Sequence, residues 1–159
     1  MAHQLPPRRR FLQWVAGLTG ALAAGAGARA EHTPTHFDED VAHKVVYQCN
    51  HADEEYLSHI MFSAGEMVRK YGDDIWVVIT AFGPGLHILG KKPGRPIPEE
   101  ILERVESLAA YGVHFHACGN TMKSLGWTED DLKDFAKMVP IGVDDLMQLQ
   151  EQGFAYVSW

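Results

Sequence analysis

Residues 44–159 predict a small α/β domain, a mainly parallel sheet held between helical layers. Three observations carry that expectation. Strand-like and helix-like segments alternate along the chain. The stretch DIWVVITAF (74–82) is almost unbroken apolar sequence, as in a strand covered on both faces. The helical segments carry apolar residues three and four apart and stop at glycines.

Each element follows from its own residues. KVVYQC (44–49) reads as the first strand, and Asn50, with Asp53 three residues on, is placed to cap the helix behind it. That helix has the stripe Tyr56, Leu57, Ile60, Ala64, Met67, Val68 and Tyr71, and Gly72 ends it. After 74–82, Gly83-Pro84-Gly85 breaks the second strand, and 86–89 has room for one helical turn. The basic loop GKKPGRP leads to a helix starting near Pro98, striped by Ile101, Val105 and Leu108 and closed by Gly112. VHFHAC (113–118) is the third strand, and 120–125 is a short helix ended by Gly126. Thr128 and Asp131 form a second capping pair ahead of DLKDFAKM, while MVPIG reads as a short strand or turn. A helix over 144–150 and the strand FAYVSW complete the count.

The first 30 residues read as export machinery. Arg8, Arg9 and Arg10 precede an apolar run over 11–26, and Ala28-Arg29-Ala30 supplies a cleavage site. RRRFLQ resembles the twin-arginine motif of a pathway that carries folded proteins. The expected organisation is a twin-arginine-type signal peptide at 1–30, a polar lead-in at 31–43, and the domain at 44–159, placed in the periplasm. The apolar run is too short and too rich in Gly and Ala for a span, so no stable membrane insertion is expected. The leader holds four of the 14 basic residues and none of the 21 acidic ones, so cleavage leaves 10 against 21, a net charge of −11. A domain that acidic lacks the Lys and Arg needed to displace counterions, which excludes nucleic acid as a partner.

Ligands of open parallel sheets gather beyond the carboxyl ends of the strands, where strand order reverses. Three motifs belong at that edge: Cys49-Asn50-His51, Gly83 to His87, and Cys118-Gly119-Asn120. Cys118 stands before a turn and a helix start, where peptide N–H groups lower a thiol's pKa and make it a nucleophile. Cys118 and Cys49 are the candidate catalytic residues, with Gly83, Gly85, Gly119 and Asn120 forming a small ligand pocket and His116 or His51 serving as base. The alternative is a metal site for copper, zinc or haem at Cys49, His51, His116 and Cys118. Strand residues two apart lie about 6.6 Å along the chain and four apart about 13 Å. His116 can therefore join Cys118 at one ion, and His114 cannot. A Cys49–Cys118 disulfide, as staple or redox couple, fits the same residues if their strands are neighbours.

VVITAFGPGLHIL, GVHFHACGNTM and MVPIGVDDLMQLQEQGFAYVSW, in that order, resemble the DsrE/DsrF-like (YchN-like) sulfur-relay family over 44–159. The resemblance implies a three-layer αβα sandwich with a mainly parallel five-stranded sheet, assembly as a trimer or hexamer, and a family-type cysteine at Cys118. In such proteins that cysteine carries sulfane sulfur as a persulfide and exchanges it with a sulfur carrier or redox protein. The export leader and the second thiol at Cys49 depart from that pattern. They keep a non-enzymatic metal or haem module, and an oligomeric interaction protein, open as alternatives.

Overall fold

The computed structural model describes residues 41–159; the leader at 1–30 and most of the 31–43 lead-in lie outside the described residues. Five parallel strands form one sheet in the order β4-β3-β2-β1-β5. They are β1 (His43–Cys49), β2 (Ile75–Ala81), β3 (His114–Cys118), β4 (Ala136–Val139) and β5 (Ala155–Val157). Four α-helices connect them: α1 (Glu54–Tyr71), α2 (Glu99–Ala110), α3 (Gly119–Leu125) and α4 (Gly142–Glu151). A 3-10 segment, Gly83–Leu89, follows β2.

β2 lies in the middle and is buried along its length except at Trp76, which accounts for its unbroken apolar sequence. α1 and α2 bury Leu57, Ile60, Ala64, Ile101 and Val105 against Val45, Tyr47, Val77, Ile79, Phe115 and Ala117. Those strand residues alternate with the ones facing the opposite side, as the pleat requires. On that opposite side Val46 and Val78 pack with Leu146, Leu149 and Phe154, from α4 and the residues after it. The reason lies in the topology. The steps β1 to β4 all move one way across the sheet, whereas β4 to β5 returns across it; a right-handed crossover then puts α4 on the other face.

Two local expectations are corrected. Asn50 does not cap α1; the N-cap is Asp53, and Asn50 is held by the Tyr56 hydroxyl, which donates to its Oδ1 at 2.9 Å. The Thr128–Asp131 pair forms, with Thr128 N–H donating to Asp131 Oδ2 at 2.8 Å. It heads only a short 3-10 turn, Glu129–Asp131, and the chain then enters β4 rather than a helix. β4 takes Ala136 and Met138 to the large core as partly buried residues, so pairing with β3 overrides the local preference.

Candidate functional site: the Cys118 thiol under helix α4

Cys118 ends β3, where alternation places it with His114 and His116 on the α4 side. α4 begins directly above it. The Gly142 N–H donates to Cys118 Sγ at 3.2 Å. Gly142 is the residue that permits this approach, because a Cβ there would stand 3.1 Å from the Cys118 Cβ and 3.2 Å from Phe82. The thiol is 5% exposed. Burial pushes its pKa up, but donors from Gly142, the Thr121 backbone and hydroxyl, and the Asn120 backbone together outweigh that and hold it below the ordinary thiol value.

The surrounding glycines build the frame rather than offer free space. The Gly83 N–H donates to Thr121 Oγ1 at 3.0 Å, tying the Gly-Pro-Gly loop to α3. Gly119 is buried against Met138 and Pro140, and Asn120 N–H donates to the Pro140 carbonyl at 3.2 Å. Gly85 is pressed on the Cys49–Asn50 peptide, where no Cβ fits. The Gly83–Gly85 and Cys118–Asn120 motifs thus do meet, through Thr121.

Cys49 does not share this site. β2 lies between β1 and β3, which separates their backbones by about 9.6 Å, more than a disulfide spans. Register aligns Cys49 with Ala81 and Ala81 with Ala117, and Cys49 packs in the α1/α2 core on the other face. Both cysteines are free, and burial raises the Cys49 thiol to about 12. Neither the disulfide nor an assisting role for Cys49 fits this geometry. Strand order is the reason: the second strand in the chain is also the one inserted between the two thiols.

The four-residue metal site fails on the same geometry. His51 is exposed and packs edge-on to Tyr56, Cys49 faces away, and no three His, Cys, Asp or Glu side chains among the described residues are grouped to hold a metal. His116 is engaged elsewhere. Its Nδ1 lies 2.9 Å from Asp145 Oδ2, and the Thr80 hydroxyl donates to that same oxygen at 2.7 Å. Thr80, Thr121, Asp145 and Gly142 are the site residues that sequence reasoning missed. A lone hydroxyl in the apolar run of β2 was the one available signal. The thiol also lies away from the β1/β5 reversal of strand order, because α4 starts beside β4 and covers β3 first. A groove of about 700 Å³ between α1 and α2, lined by Phe62, Gly65, Leu108 and Tyr111, holds none of the predicted site residues.

Two other histidines are spent on structure. His87 Nδ1 accepts the Gly94 N–H at 3.0 Å, and its ring stands edge-on to Trp127. His114 packs on Trp76. Burial, helped by Arg95 for His87 and by His116 and Lys137 for His114, lowers both below the usual 6.5. The folded state thus favours the neutral rings, and the unfolded chain binds more protons once pH falls below 6.5. Stability should therefore decline from about pH 7.5 to about pH 5.5 in urea titrations, and His87→Phe should flatten the decline. A midpoint that rises on acidification contradicts this.

The fold and the thiol define a class: small parallel α/β domains that present a cysteine at a strand's carboxyl end. Within that class the chain belongs to the DsrE/DsrF-like family, whose family model matches residues 43–159. Among solved structures it is similar to a protein of unknown function, MTH1491 from Methanobacterium thermoautotrophicum. The two are 24% identical with a TM-score of 0.64, over 74% of this chain and 99% of that one. It is also similar to the YchN protein from E. coli, at 18% identity and a TM-score of 0.61, again over 74% and 99%. These likenesses establish the three-layer fold. No curated protein matches the chain.

Proposed function

We propose that this chain is an exported, periplasmic sulfur carrier that holds sulfane sulfur as a persulfide on Cys118. The observation that carries the reading is the Gly142 N–H at 3.2 Å from Cys118 Sγ, in a family associated with sulfur relay. The Cys118 thiolate attacks the sulfane sulfur of a donor persulfide. The donor's S–S bond breaks, the donor leaves as its thiolate, and a new S–S bond forms on Sγ. The same exchange onto an acceptor thiolate, on a carrier or redox protein, returns Cys118 to its thiolate. The Gly142 N–H serves Sγ in both directions, first as attacking group and then as leaving group. Export is supported by the Arg8–Arg10 leader. Assembly as a homo-oligomer belongs to the same proposal, supported by exposed Val143 and Met147 on α4 and by Trp159.

Incubation with glutathione persulfide, followed by denatured mass measurement, tests the reading. Wild-type protein should gain one sulfur that dithiothreitol removes. Cys49→Ala should load equally, and Cys118→Ser should not load. Full loading of Cys118→Ser would overturn the proposal.

A further inference from the structure

We infer that Asp145 is the positioning residue of the Cys118 site: it locks the first turn of α4 to the sheet and so holds the Gly142 N–H on the sulfur. The inference rests on Cys118 being the working thiol, as proposed above. Asp145 is one turn into α4, and its own N–H donates to the Ile141 carbonyl at 3.0 Å. Its carboxylate is 4% exposed and joins two strands, taking the Thr80 hydroxyl from β2 and His116 Nδ1 from β3. Thr80 and His116 are themselves 0% and 1% exposed.

A carboxylate in such surroundings is costly unless well paired, and apolar side chains would fill the space more cheaply. Its use is therefore geometric. Leu146 and Leu149 supply the grease under α4, and grease tolerates sliding. Gly142 does not tolerate it. Its N–H is 3.2 Å from Sγ and a Cβ on it would already crowd Cys118 and Phe82, so movement toward the sheet is blocked and withdrawal by about 1 Å loses the hydrogen bond. Asp145 supplies directional contacts from α4 to the sheet, three residues from that bond. His116 Nε2 is buried without a partner among the described residues, so the ring is held from one side, by Asp145. The neighbouring titratable groups on this face are His114 on β3 and Lys137 on β4, and every variant below leaves them intact.

The test is the pH profile of iodoacetamide alkylation at Cys118 in folded, full-length mature protein carrying Cys49→Ala. Asp145→Ala should move the profile to higher pH and slow alkylation at pH 7 about three- to tenfold, the effect of one lost hydrogen bond. The plateau rate at high pH should stay within about twofold, which loosened packing alone would not produce. Asp145→Asn should restore the wild-type profile, because its amide oxygen accepts from Thr80 and its amide nitrogen donates to the other His116 tautomer. Thr80→Val, nearly isosteric, should shift the profile the same way by less, and it decides the matter if Asp145→Ala does not fold. Unshifted profiles in Asp145→Ala or Thr80→Val overturn the inference, as does Asp145→Asn behaving like Asp145→Ala. Alkylation needs no sulfur donor. A shifted profile in a protein that never loads sulfur would keep this inference and sink the carrier reading.

Discussion

Brief iodoacetamide treatment at pH 7 should label Cys118 in the folded protein and leave Cys49 untouched. The two thiols differ in two ways that act together. Cys49 is fully buried, with burial raising its pKa to about 12, whereas Cys118 is held below 9.0 by the donors around it. A gap of at least three units is about a thousandfold in thiolate population, and the thiolate is the reacting species. Cys49 also has its sulfur in the α1/α2 core, so any reagent must wait for unfolding. Peptide mapping after a timed quench reads the ratio directly. In denaturant both sites should label at similar rates, and in folded Cys118→Ser labelling should all but vanish. Comparable labelling of both cysteines in the folded protein would contradict the arrangement of the sheet around them.

That asymmetry marks the boundary of what local sequence shows. Alternation in VHFHAC does put His114, His116 and Cys118 on one face, and the apolar run 74–82 does mark a central strand. The stripes of α1 and α2 place those helices to within a residue or two, and Gly126 ends α3 in a left-handed conformation at φ 70°. Whether Cys49 and Cys118 meet depends on which strand lies between theirs, and nothing in either strand records that. The Asp145–His116 contact joins residues 29 apart. It exists because a crossover returns α4 over β3, a fact of topology with no local signature. DLKDFAKM misleads for a related reason. Its helical pattern is genuine but weak, and an open edge beside β3 outbids it.

Gly85→Ala should be among the most damaging single-methyl additions in the domain. The added Cβ would fall on the Cys49 carbonyl oxygen, 2.7 Å from the Cys49 carbonyl carbon and 3.0 Å from the Asn50 nitrogen. These are backbone atoms at the end of β1, so no side chain can rotate away. The peptide is fixed as well, since Phe82 N–H donates to that same Cys49 carbonyl at 3.0 Å. Overpacking against backbone of this kind costs about 3 kcal/mol, which for a domain of this size lowers the melting temperature by roughly 10 °C. Gly65→Ala is the matched control. It adds the same methyl inside α1, where the nearest atom is Leu108 Cδ2 at an ordinary 3.8 Å. Gain in helix propensity should leave that variant neutral or more stable by up to about 1 kcal/mol. Only Gly85→Ala should therefore melt below the wild type, and a Gly85→Ala protein as stable as Gly65→Ala would refute the close approach. The damage should also reach the thiol. Gly83 lies two residues before the clash and is hydrogen-bonded to Thr121, itself a donor to Cys118. Any Gly85→Ala protein that folds should thus alkylate Cys118 more slowly at pH 7, while Gly65→Ala should match the wild type.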